Sequence, residues 1–135
     1  MTPVLVDSNV LLDVLGEDAT WMPWSAAAVA DLGASAPLVI NPVIFAEVSV
    51  RSDTIEAMEE AFPEALFRRE PIPWPAAFLA GKAFLAYRRR GGARRSPLPD
   101  FLIGAHAAVA GYRLLTRDAT RYRTYFPKLE LIAPP

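Results

Sequence analysis

The sequence predicts an α/β fold, a parallel sheet with helices on both faces, and three observations predict it. Short apolar runs rich in Val, Ile and Leu alternate with stretches of helical composition. No hairpin dipeptide joins one run to the next, and strands separated by helices pair in parallel. The 135 residues suit one core and are too few for two of ordinary size. With no repeat or low-complexity linker, residues 1–135 read as a single domain.

Val4-Leu5-Val6 is the first strand; Asp7-Ser8-Asn9 stops it, and Val10, Leu11, Leu12 and Val14 follow at helical spacing. Ser25 to Ala36, mostly alanine and leucine, predicts a helix, and Pro37 then precedes a strand at Leu38-Val39-Ile40. Pro42 suits the first turn of a helix over Val43 to Arg51. Asp53 is the expected cap of another helix through Ala61, with Pro63 interrupting before Leu66. Ile72 marks an expected short strand. Pro75 opens a helix to about Arg90 that Gly91-Gly92 closes, its last arginines suiting the helix dipole. Pro97 and Pro99 stiffen the approach to Asp100, the expected cap of a helix from Phe101 to about Gly111. Leu114-Leu115, Thr116-Arg117-Asp118 and an apolar segment from Leu129 to Ile132 complete the chain.

Composition removes several classes of function. With no cysteine there are no disulfides, no thiolate catalysis and no Cys-based zinc site, which leaves carboxylates and one histidine as metal ligands. A net charge of −1 excludes a strongly basic nucleic-acid coat but permits a local basic patch. The stretch from Leu98 to Leu115 is apolar yet carries Asp100, His106 and Arg113, so no membrane span is expected, and the N-terminus lacks the basic start of a signal peptide. A cytoplasmic location follows. At 53% hydrophobic residues and a mean hydropathy of +0.21, surplus apolar surface calls for an oligomer or a tight partner.

Four acids stand where chemistry is expected. Open parallel sheets gather ligands outside the carboxyl ends of their strands, where Asp7 and Asp118 both fall. Capping the next helix is the other use of an aspartate in that position. Glu47 lies among Val43, Ile44, Phe45, Ala46, Val48 and Val50, so its charge needs a partner: a metal ion, or Arg51 one turn on. Asp100 opens a helix otherwise free of acids, as ligand or as cap. Several acids gathered at one sheet end repel unless a divalent cation neutralises them, and oxygen-only ligation suits magnesium or manganese.

Val4-Leu5-Val6-Asp7-Ser8-Asn9-Val10-Leu11-Leu12-Asp13, Glu47 on the helix after the second strand, Asp100 opening its helix, and Thr116-Arg117-Asp118 together resemble the PIN domain, and specifically the VapC toxin ribonucleases of toxin–antitoxin pairs. The resemblance spans nearly the whole chain. It implies a five-stranded parallel sheet in a three-layer α/β/α sandwich, with Asp7, Glu47, Asp100 and Asp118 as the catalytic metal site and Asn9 and Thr116 supporting it. It further implies Mg²⁺ or Mn²⁺, a homodimer, a VapB-type antitoxin, and cleavage of structured RNA such as transfer or ribosomal RNA, with no nucleotide cofactor. A metal-activated water needs no histidine base. His106, among alanines six residues past Asp100, reads as structural.

Arg88, Arg89, Arg90, Arg94 and Arg95 put five positive charges within eight residues just before the Asp100 segment. RNA contact, antitoxin contact and a solvated helix end all suit them; Arg117, Arg121 and Arg123 are further RNA candidates. Trp21, Trp24 and Trp74 suit packing or stacking on bases. A receiver domain would need a lysine after a late strand, which neither Lys82 nor Lys128 supplies, and an Asp-x-Asp phosphatase would need an acid at Asn9. The remaining alternative is a catalytically silent PIN module that binds RNA or protein.

Overall fold

The computed structural model describes residues 1–16, 18–93 and 98–135. Its strands are β1 (Val4–Val6), β2 (Leu38–Ile40), β3 (Phe67–Arg69), β4 (Arg113–Leu115) and β5 (Leu131–Ile132). The helices among the described residues are α1 (Ser8–Val14), α2 (Met22–Gly33), α3 (Pro42–Ser49), α4 (Ile55–Ala61), α5 (Trp74–Arg89), α6 (Pro99–Ala110) and α7 (Thr120–Tyr125). All five strands pair in parallel in the order β3-β2-β1-β4-β5. The path steps one way from β1 to β3 and the other way from β3 to β5. Right-handed crossovers therefore send α1 to α4 to one face and α5 to α7 to the other, the expected three-layer sandwich.

Register places the polar ends. Val6 lies opposite Leu115, so Asp7 and Thr116 emerge side by side from β1 and β4, with Asp7 N–H donating to the Leu115 carbonyl. Val4, Leu5 and Val6 are fully buried, as a central parallel strand covered on both faces requires. No helix among the described residues is long and apolar enough to cross a membrane.

Three expectations about local structure are corrected. Thr54, not Asp53, caps α4, its Oγ1 accepting from Ala57 N–H at 3.1 Å. The third strand is Phe67–Arg69 instead of a segment at Ile72, because Ile72 sits between Pro71 and Pro73, which lack the N–H that a ladder needs. Asp100 is not a cap: Pro99 begins α6 with Leu98 in the cap position, so Asp100 falls in the first turn with its side chain free for other partners. Asp118 precedes the cap position of α7, held by Ala119, yet its Oδ1 accepts from Thr120 N–H at 3.3 Å, so it serves the helix start as well as the sheet end. The glycine stops are as read from sequence, with Gly91 at φ 91° after α5 and Gly111 at φ 73° after α6, both left-handed conformations that suit glycine.

Gly104 marks where α6 meets α7. A Cβ there would lie 2.6 Å from the buried ring of Phe126 and 3.0 Å from that of Tyr122. Gly104→Ala is therefore expected to destabilise the fold by about 1–3 kcal/mol through overpacking. Chemical denaturation at constant m-value checks it, and an unchanged midpoint would show that α7 moves aside freely.

Candidate active site

The direction of strand order changes between β1 and β4, and a cleft of about 670 Å³ opens outside their carboxyl ends. Its walls bring together all four expected acids, Asp7, Glu47, Asp100 and Asp118, with Ser8, Asn9 and Arg121. The acids come from four separate elements, so tertiary structure alone makes them neighbours.

Asp7 is both cap and site residue. Its Oδ1 accepts from Ser8 N–H at 2.8 Å at the start of α1, while its Oδ2 accepts from the Tyr122 hydroxyl at 2.8 Å and the Thr116 hydroxyl at 2.9 Å. Burial pushes its carboxyl up to about 6; the Asp100 charge adds to the rise, and the three hydrogen bonds oppose it. Glu47, half-buried on α3, accepts at Oε1 from the Ser8 hydroxyl at 2.7 Å. Burial raises its carboxyl too, and the Asp100 charge adds to that rise. Burial, reinforced by the Asp7 charge, raises the Tyr122 phenol, so this hydroxyl keeps its proton and remains a donor.

Asp100 pairs at Oδ2 with Arg121 Nη1, 3.0 Å away. Asp118 is exposed; its Oδ1 accepts from Thr120 N–H at 3.3 Å, and its own N–H donates to Thr116 Oγ1 at 3.2 Å. Asn9 donates from Nδ2 to Thr116 Oγ1 at 3.3 Å and accepts at Oδ1 from Arg117 N–H at 3.2 Å. Asn9 and Thr116 thus tie the loop after β4 to the start of α1, a supporting geometry.

Among the described residues, no three acids or histidines converge closely enough to hold an ion. Arg121 engages Asp100, and Ser8 holds Glu47. The donor set nonetheless fits a hard divalent cation: among the described residues four carboxylates share the cleft with a single arginine, and burial raises two of them, with the Asp100 charge adding to the rise.

The other sequence candidates fall elsewhere. Arg117 is engaged by Asp13, its Nε donating to Asp13 Oδ2 at 3.0 Å, and its guanidinium lies 5.6 Å from the Trp21 ring centre. Arg88 donates to the Gly92 carbonyl, Arg90 lies over the Tyr125 ring, and Arg89 is exposed. Arg94 and Arg95 lie outside the described residues. Trp24 packs on the core and Trp74 is 88% exposed.

His106 is fully buried away from the cleft, its Nδ1 3.0 Å from Asn41 Nδ2. Asn41 Oδ1 already accepts from Ile44 N–H, so the amide NH₂ faces the ring and Nδ1 is the acceptor. Burial lowers the His106 pKa, against the pull of Glu70, so the ring is neutral and structural.

A family model describing the PIN domain matches residues 4–127. The chain belongs to the PIN domain family. No curated protein matches the sequence. Among solved structures, this PIN domain is similar to VapBC2 from Rickettsia felis bound to a promoter DNA fragment, at TM-score 0.72 and 15% identity over 97% of this chain and 98% of that one. It is similar to VapBC-1 from nontypeable Haemophilus influenzae at 0.72 and 17%, covering 97% of each chain. A toxin-antitoxin complex from Klebsiella pneumoniae matches at 0.66 and 22%, covering 98% of each. At these identities the likeness establishes the fold.

Two residues that hold the cleft's acids differ in how far sequence shows them: Ser8 reads as a small polar neighbour of Asp7, and Tyr122, buried behind the cleft, is not singled out. Ser8 sits inside the Asp-x-Asn signature, yet its bond to Glu47 spans 39 positions. Tyr122 has a readable signal: with Phe126 it repeats at helical spacing, and a tyrosine buried in this way needs an acceptor for its hydroxyl.

Proposed function

We propose that this PIN domain is a metal-dependent endoribonuclease of the VapC toxin class, cleaving structured RNA such as transfer or ribosomal RNA, and restrained by a VapB-type antitoxin. One observation carries the reading: Asp7, Glu47, Asp100 and Asp118, from four elements, line a single cleft where the strand order turns. The solved structures similar in fold are toxin–antitoxin complexes, which supports an antitoxin partner. Exposed Trp74 and Phe78 on α5 offer apolar surface for an antitoxin or a second copy in a homodimer.

In this reading the four acids hold one or two Mg²⁺ or Mn²⁺ ions, which when bound supply a water activated at neutral pH and charge stabilisation for the leaving 3′ oxygen. The chain's own work is placement. Tyr122 and Thr116 fix Asp7 Oδ2, Ser8 fixes Glu47, and Asn9 with Thr116 sets the loop that carries Asp118. In the displacement, the water oxygen would bond to phosphorus, the bond from phosphorus to the 3′ oxygen would break, the water's proton would pass to solvent or to a carboxylate, and the departing 3′ oxygen would take a proton from solvent. Arg88, Arg89 and Arg90, with Arg94 and Arg95, offset the repulsion between an acidic cleft and an anionic substrate.

Antitoxin-free protein is expected to cut RNA with Mg²⁺ or Mn²⁺ and to stop when EDTA is added. Gel analysis of labelled cellular RNAs, followed by sequencing of the ends, checks this and names the target. RNA binding without cleavage at any metal concentration would replace the reading with that of a silent binding module.

A further inference from the structure

Arg121 is the only cation lining the cleft among the described residues. Its Nη1 donates to Asp100 Oδ2 at 3.0 Å, and its guanidinium lies 5.9 Å and 6.0 Å from the ring centres of Tyr87 and Phe101. Both partners of the pair are more than a third exposed, 40% for Arg121 and 36% for Asp100, so water screens the bond and little free energy holds it closed. The two rings flank the guanidinium, which lines the cleft together with the acids. An arginine held weakly on an acid in a cleft of like-charged acids is a counter-ion that can be exchanged.

We propose that Arg121 is the built-in counter-ion of the acidic cleft: it neutralises Asp100 in the metal-free chain, yields Asp100 to a divalent cation, and then contacts a nonbridging oxygen of the RNA phosphate that is cut. The proposal rests on the nuclease reading. Its physical basis is the exchange of one counter-ion for another at Asp100. With a divalent ion on the carboxylates, Asp100 needs no arginine, and the guanidinium released still lines the same cleft as the four acids. A planar fork of N–H donors matches two phosphate oxygens, and there it opposes the charge that builds up during in-line attack. The acid pair also explains why Asp100 lacks the cap contact that its position suggested: its carboxylate is turned toward α7 instead of back onto its own helix.

Two measurements on one set of variants test it. Calorimetric titration of metal-free protein with Mn²⁺ is expected to show roughly three- to fivefold tighter binding for Arg121→Gln, because an exposed competing ion pair of this kind is removed. Single-turnover cleavage of total transfer RNA at saturating Mn²⁺ is expected to be slower by on the order of 100-fold or more in the same variant, the scale of losing one donor to developing charge. Arg121→Lys is expected to restore wild-type Mn²⁺ affinity but only part of the rate, since an ammonium cannot span two oxygens. Mn²⁺ binding that is unchanged or weaker in Arg121→Gln overturns the counter-ion role. Cleavage within threefold of wild type overturns the phosphate contact. Wild-type protein that binds Mn²⁺ yet cuts no RNA overturns the nuclease reading itself, a failure distinct from either.

Discussion

Replacing Asp7 with asparagine is expected to slow RNA cleavage by roughly a thousandfold or more, the several kcal/mol that metal-assisted activation supplies, while the fold survives. Asp7 is 3% exposed and sits where β1 ends, so any metal bound by the cleft must use it or pass beside it. Asparagine has nearly the same shape, and one amide oxygen can still accept from Tyr122 and Thr116. Its NH₂ then faces Ser8 N–H, which has donated to Oδ1 at 2.8 Å, and losing that bond costs about 1–3 kcal/mol. Against this, the substitution removes a buried charge. A carboxyl raised from 3.8 to about 6 costs the folded state about 3 kcal/mol above pH 6, at about 1.36 kcal/mol for each tenfold. The two contributions offset, so in EDTA at pH 8 the variant should melt close to wild type. Circular dichroism melts beside initial cleavage rates check both halves.

The sign of the pH effect gives a further check on the same variant. Asp7 has a folded value above its unfolded one, so the stability it contributes is fully present below pH 3.8 and is lost as pH rises through about 6. In EDTA, wild-type stability relative to Asp7→Asn should therefore rise by roughly 1.5 kcal/mol between pH 8 and pH 5. A difference that is flat with pH would mean that Asp7 is not the strained, buried carboxylate that its contacts describe.

The sequence shows these acids more clearly than it shows what surrounds them, and the reason is distance along the chain. Asp7 and Asp118 are visible because each follows a strand whose apolar, branched residues are buried on both faces. Glu47 is visible because an acid interrupts an apolar helix. Their partners are unevenly visible: Thr116, 109 positions from Asp7, is named by the late motif, whereas Tyr122 reaches Asp7 across 115 positions through a contact that no motif marks. The fold follows the same rule. β1 and β2, covered on both faces, read as apolar runs, whereas β3 is an edge strand with a single buried residue, Phe67, followed by two arginines, and its pattern is lost. Aspartate favours the cap position, so Asp100 and Asp118 can each be read as ligand or cap; Pro99 shifts the start of α6 and leaves the Asp100 carboxylate to the cleft, whereas Asp118 lines the cleft and still accepts from Thr120 N–H.

Asp13 completes the opening motif, and its replacement by alanine should cost both stability and metal affinity. It is fully buried, and its Oδ2 accepts from both the Ser25 hydroxyl at 2.7 Å and Arg117 Nε at 3.0 Å. These bonds join α1, α2 and the loop after β4, and the Arg117 peptide N–H continues the chain of contacts to Asn9. Removing one partner of a buried pair costs about 3–5 kcal/mol when the other charge stays buried. Arg117 is 30% exposed and can turn toward water, which puts Asp13→Ala at about 2–3 kcal/mol, with the orphaned Ser25 hydroxyl included. Asp13→Asn keeps an acceptor for both donors and should lose about half as much. Because the loop carries Thr116 and Asp118, metal affinity should fall in step with the loss of the clamp, more in Asp13→Ala than in Asp13→Asn. Urea denaturation and Mn²⁺ titration of the two variants measure the two effects separately. If stability drops while Mn²⁺ affinity holds, Asp13 supports the fold alone and the loop keeps its geometry through Asn9 and Thr116.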